Sequence, residues 1–66
     1  MTGEELKRAR IARQLTQKQL GEMVGFTGRR AETTVQKWEY GTLGIPVKYF
    51  RRLSEVLHVP LERFIP

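Results

Sequence analysis

Three times in this chain a threonine is followed three residues later by glutamate or glutamine: Thr2 and Glu5, Thr16 and Gln19, Thr33 and Gln36. In such a pair the threonine hydroxyl accepts from a free first-turn amide, and the longer side chain reaches back to the amide of the threonine. One match arises easily by chance. Three, each opening a stretch with apolar residues at helical spacing, predict three helix starts and constrain the chain to an all-α fold.

The stretches after these boxes read as helices over about 3–13, 17–24 and 34–40. Leu6, Ala9 and Arg10 share one side of the first. Leu20, Met23 and Val24 stand at i, i+3, i+4 in the second, and Val35 and Trp38 are the buried pair of the third. Gly25 suits a left-handed stop after the second helix, and residues 26–30 read as a connection. Gly41 and Gly44 bracket a loop. Pro46 suits the first turn of a fourth helix with its inner stripe at Phe50, Leu53, Ser54 and Leu57. Pro60 then opens a fifth, very short helix carrying Leu61, Phe64 and Ile65. No segment alternates, so no sheet is expected. The expectation is one compact domain of five helices over residues 1–66.

Charge and composition narrow the function. The chain holds 12 Lys+Arg against 7 Asp+Glu, a formal net charge of +5. Residues 1–30 carry seven basic and three acidic side chains, residues 31–66 five and four, so the excess is concentrated in the first half. Such a balance suits a polyanion, nucleic acid before an anionic membrane, although small domains also carry it for solubility alone. No apolar run exceeds two residues, which excludes a membrane span or signal core, and a cytoplasmic domain is expected. Without cysteine there is no disulfide and no thiolate zinc site, and His58 as the only histidine cannot assemble a metal centre. Ser54 and His58 stand four apart, as a nucleophile and base could. No Asp exists to orient the imidazole and no glycine elbow surrounds the serine. Neither catalysis nor a cofactor is expected. His58 reads more simply as a polar helix end.

The segment from Leu15 through Thr16, Gln17 and Leu20 to Gly25, then Val35, Gln36, Lys37, Trp38, Glu39, Tyr40 and Gly41, resembles the helix-turn-helix core of the phage-repressor and Cro-like (Xre-type, lambda-repressor-like) family. Phe50, Leu53, Leu57, Val59, Leu61 and Phe64 resemble that family's last two helices, so the likeness runs from about residue 5 to 65. The chain departs from the pattern in four places. Gln14 stands where the family has Gly, and Gly21 where it has Ala. The family also carries Gly or a small residue near His58. Finally, Gly25 and Val35 are ten residues apart where six are usual, which predicts an extended turn between the second and third helices, around residues 28–31.

The resemblance implies double-stranded DNA as partner and a prokaryotic or phage transcriptional regulator of repressor type. In that architecture the third helix enters the major groove and the second lies across the backbone. Thr33, Thr34, Gln36 and Lys37 then face base edges: Gln36 suits adenine, Lys37 guanine, and a threonine methyl the thymine methyl. The alternative for each is a solvated helix face. Gln17 occupies the position at which the family contacts phosphate. Arg29 and Arg30, read as part of the turn, can grip phosphate or enter a minor groove. Tyr40, Thr42 and Lys48 are further backbone candidates. Glu39 would repel phosphate unless neutralised, and the resemblance pairs it with Arg10 as a structural ion pair. Trp38 reads as core rather than as a stacking platform.

A single module offers about 600–1,000 Å² to DNA, which suggests a homodimer on a two-fold site, self-contacting around Val59, Leu61 and Ile65. Those residues could equally serve only to close the core. A different class of function also fits the pattern: a protein-interaction module, such as an antitoxin or coactivator-like adaptor, on the same fold.

Overall fold

The structure, a computed structural model, describes residues Met1–Pro66. It contains four α-helices and no strand: α1 (Gly3–Ala12), α2 (Gln17–Met23), α3 (Arg29–Tyr40) and α4 (Phe50–Leu57). A 3₁₀ turn, Val47–Tyr49, leads into α4, and another, Leu61–Arg63, follows it.

Two of the three threonine boxes cap helices as expected. Thr2 Oγ1 accepts from the Glu5 amide at 3.1 Å while Glu5 Oε1 accepts from the Thr2 amide at 3.0 Å. Thr16 and Gln19 make the same reciprocal pair at 3.0 and 2.8 Å. The third box is not one, because Thr33 and Gln36 both lie inside α3. That helix starts instead after Gly28, which caps it without a side-chain hydrogen bond and holds φ +61, a conformation side-chain-bearing residues rarely adopt.

The extended turn is therefore an extended helix. Four residues are close to one helical turn of 3.6, so adding them inside α3 keeps Ala31 on the same side as Val35 and Trp38. All three are buried. Ala31, expected in the extended turn, meets Gly21 of α2 so closely that a Cβ on Gly21 would overlap the Ala31 carbonyl. Gly21 and Ala are thus not interchangeable here.

Leu6, Leu20, Val24, Val35, Trp38, Leu53, Leu57 and Phe64 form one core. Burying each of the leucines contributes about 1.5–3 kcal/mol. Met23, expected inside, is exposed; Val24 takes the inner position. Phe26, Trp38 and Tyr49 pack as an aromatic triangle with centroids 5.2–5.8 Å apart, tying the α2–α3 connection to the turn before α4.

The expected fifth helix is only the Leu61–Arg63 turn. Pro60 opens it, Phe64 enters the core, and the hydrogen bonds of residues 63–65 are all of the tighter 3₁₀ kind, Ile65 to Glu62 being the last. Pro46 likewise precedes a 3₁₀ turn rather than beginning α4. At the end of α4 the Ser54 hydroxyl donates to the Val59 carbonyl, and His58 ends the helix in the left-handed region at φ +56.

Gln14 is the other left-handed non-glycine, at φ +57. It stands where the resemblance expects Gly, and the backbone shows why: a left-handed residue is needed to leave α1. Gln14→Gly is expected to raise stability by about 0.5–1 kcal/mol, the relieved strain exceeding glycine's extra unfolded-state entropy. Urea denaturation checks this.

Glu5 also holds the C-terminal end, accepting from Arg63 Nη2 at 2.8 Å. The Arg63 hydrogen bond, with those from Thr2, lowers its pKa to about 2 from an ordinary 4.5. A depressed carboxylate pKa stabilises the fold above the unfolded value, and this contribution is lost as pH falls from about 4.5 toward 2. Glu5→Gln should therefore show a shallower loss of melting temperature across that interval.

Candidate nucleic-acid interface

On α3, Arg29, Thr33, Gln36, Lys37 and Tyr40 follow one another at i, i+4, i+7, i+8 and i+11. That spacing places them on one stripe opposite Ala31, Val35 and Trp38. Arg29, Lys37 and Tyr40 are exposed, with Tyr40 at 85 %, while Thr33 and Gln36 are half-buried. Thr34 does not share this stripe. It lies on a flank, in a hollow with Phe26, Arg30, Trp38 and Lys48. The two arginines expected in a loop stand in the first turn of α3 and diverge. Arg30 places its guanidinium 5.7 Å from the Phe26 ring centroid, whereas Arg29 lines a separate hollow with Lys18, Gly28 and Glu32.

A chain of hydrogen bonds holds the middle of this surface. Glu39 accepts from Arg10 twice, Nε at 2.6 Å and Nη2 at 3.3 Å, and Arg10 Nη1 donates to the Leu15 carbonyl at 2.9 Å. The two side chains are only 11 % and 6 % exposed. Gln17 Nε2 donates to Glu39 Oε1 at 3.1 Å, and Gln36 Nε2 donates to Gln17 Oε1 at 3.2 Å. The direction of the chain follows from its end. An ionised carboxylate only accepts, so Gln17 must offer it the amide nitrogen and turn its oxygen toward Gln36. Gln36 must then donate, which leaves its Oε1 and its second amide hydrogen free.

The ion pair between Arg10 and Glu39 thus does more than cancel charge. It orients two glutamines, one at the start of α2 and one in the C-terminal half of α3. Gln17 occupies the first position of α2, whose Thr16 cap fixes where the side chain emerges.

Further cations, not distinguishable by local sequence, join the surface. Lys7 of α1 shares a hollow with Gln17 and Tyr40, and Lys18 of α2 stands beside Arg29. Lys48 lies on the opposite flank, its Nζ 5.3 Å from the Tyr49 ring centroid. Thr42, in the loop after Gly41, is exposed, its amide bonded to the Lys37 carbonyl at 3.0 Å. Lys7 and Lys18 sit among exposed positions of their own helices, and nothing local distinguishes them from other solvated lysines. Only the packing of α1 and α2 against α3 brings them to this side.

A second exposed feature is apolar. Val47, Phe50, Leu61, Ile65 and Pro66, with Arg51, line a groove. Val47 is 75 % and Ile65 55 % exposed, while Val59 and Leu61 are half-buried. No helix is long and apolar enough to cross a membrane.

A sequence model of the helix-turn-helix family matches residues 6–64, nearly the whole chain. No curated protein and no solved structure matches it.

Proposed function

The chain belongs to the helix-turn-helix family of DNA-binding domains, and we propose that it is a sequence-specific regulator of phage-repressor type that reads the major groove with α3. The observation that carries this reading is the polarity of the Gln36–Gln17–Glu39–Arg10 chain. Adenine presents an acceptor, N7, beside a donor, N6, on its major-groove edge. Gln36, with one amide hydrogen and its carbonyl oxygen uncommitted, matches that pair without reorienting. Lys37 and Thr33 on the same stripe are the further base contacts. Thr34, on the flank beside Arg30 and Lys48, is placed for the edge of the groove rather than its floor.

Gln17 begins the helix that would cross the backbone and serves phosphate contact beside Tyr40, with Thr42 and, on the opposite flank, Arg30 and Lys48 as further backbone contacts. A homodimer on DNA is favoured because one module buries little surface, and a second copy is the occupant that suits the apolar groove of Val47, Leu61 and Ile65.

The test is a titration of duplexes recovered from a random pool. Wild type is expected to select a palindrome, to protect two half-sites about 10 base pairs apart, and to weaken steeply with salt. Gln36→Ala and Lys37→Ala should change sequence preference by about 1–3 kcal/mol at one position each, while Gln17→Ala should weaken all sequences and, by releasing the Gln36 amide, also reduce the adenine preference. A single short asymmetric footprint at saturation would exclude the dimer. No binding at ~50 mM salt would replace the whole reading with the protein-interaction adaptor.

A further inference from the structure

We propose that Arg29 reads a base: from the added turn of α3 its guanidinium takes the major-groove edge of a guanine, lengthening the sequence that one domain specifies. The inference rests on α3 being the groove helix. It departs from the role that a loop position would give this residue, a sequence-independent grip on phosphate.

Position is the first argument. Because the four additional residues are helical, Arg29 joins the stripe of Thr33, Gln36, Lys37 and Tyr40 at its N-terminal end. Helices of this architecture address bases chiefly from their N-terminal half. Here the residues of that half that lie on the stripe are Arg29 and Thr33, with exposed Arg30 and Glu32 on its two flanks.

The second argument is that Arg29 is uncommitted and its neighbour is not. The four ion pairs join Arg8 to Glu4, Arg10 to Glu39, Arg52 to Glu55 and Arg63 to Glu5. Arg29 is in none of them, even with Glu32 one turn away. Arg30 is turned to the flank and rests over Phe26.

Chemistry selects the base. The guanidinium fork is donor only and matches two adjacent acceptors; guanine O6 and N7 supply them, whereas adenine presents a donor beside N7. Arg29 lies seven residues before Gln36, about 10 Å along the helix at 1.5 Å per residue. At 3.4 Å per base step, the guanine falls roughly two to four base pairs from the Gln36 adenine.

Site selection with wild type, Arg29→Ala, Arg29→Lys, Arg30→Ala and Gln36→Ala tests this, each variant first shown to melt cooperatively. Wild type is expected to prefer, beside the guanine that suits Lys37, a second guanine in each half-site by about 5- to 150-fold. Arg29→Ala should erase that preference and keep the adenine. Arg29→Lys should keep the salt dependence and only part of the guanine discrimination, since an ammonium reaches O6 or N7 but does not reproduce the planar fork. Replacing that guanine by 7-deazaguanine, which lacks the N7 acceptor, should weaken wild type and leave Arg29→Ala unaffected. Arg30→Ala should weaken all duplexes alike and lower the salt slope by about one.

If Arg29→Ala instead weakened every duplex equally while Gln36→Ala still abolished an adenine preference, Arg29 would be a phosphate contact and this proposal alone would fall. A wild-type protein with no sequence preference would overturn it together with the reading of α3.

Discussion

Glu39→Ala is expected to destabilise the domain by about 3–5 kcal/mol, and Arg10→Ala by a similar amount. Both side chains are nearly buried, and each single replacement leaves the other charge without its bidentate partner. Placing charges in a poorly solvated site costs several kcal/mol per ion, and only their mutual attraction and extra hydrogen bonds offset it. Here those extra bonds are the Leu15 carbonyl for Arg10 and the Gln17 amide for Glu39. A domain of this length has a total stability on the order of 3–10 kcal/mol, so either variant should be largely unfolded near 37 °C. The paired replacement Arg10→Met with Glu39→Leu should be milder than either single change, because it removes both desolvated charges. Urea denaturation of the four proteins measures the coupling. Single replacements that proved neutral would show that the pair does not carry the junction of α1, α2 and α3. The double variant should bind DNA with weakened adenine preference even when folded, because Gln17 would lose the carboxylate that sets its polarity.

Gly21→Ala is the second large effect, expected at about 2–3 kcal/mol against stability. On helix propensity alone the change would be favourable by about 1 kcal/mol. The added methyl, however, would overlap the backbone carbonyl, carbon and Cα of Ala31, and a backbone cannot rotate aside as a side chain can. The helices must separate, and overpacking of this kind costs typically 1–3 kcal/mol or more before the propensity gain. A thermal melt decides the matter: a raised midpoint would mean that α2 and α3 do not meet as closely as Gly21 and Ala31 place them. Because α3 moves with the contact, sequence preference should also degrade in whatever fraction remains folded.

Much of the fold was legible in local sequence because it is local chemistry. The boxes at Thr2 and Thr16 satisfy orphan amides within one turn, and the Leu53–Leu57 stripe needs only the helical period to be recognised. The Arg10–Glu39 pair was legible through family resemblance rather than through physics, since nothing in the spacing of residues 29 apart requires them to meet.

Local chemistry also misled. Thr33 and Gln36 have the same spacing as the true caps, yet both are inside α3, because capping is only one way to begin a helix. Gly28 begins it instead, and tertiary burial of Ala31 against Gly21 holds the added turn that propensity alone leaves undecided. The short end after Pro60 has the apolar residues of a helix, but its hydrogen bonds, Arg63 to Pro60, Phe64 to Leu61 and Ile65 to Glu62, stay of the 3₁₀ kind while Phe64 is buried in the core.

The sequence by itself determined an all-helical, basic chain of one core, and identified Gln17, Gln36 and Lys37 as polar groups on the helices that matter. Their arrangement was decided only in three dimensions. Whether Arg29 points with Thr33 or lies in a loop depends on one helical turn whose stability comes from another helix. Which atoms Gln36 has left to offer depends on a carboxylate three residues away, and that carboxylate is held in place by an arginine on α1. Hydrogen-bond polarity passes through space, so no periodicity along the chain can encode it.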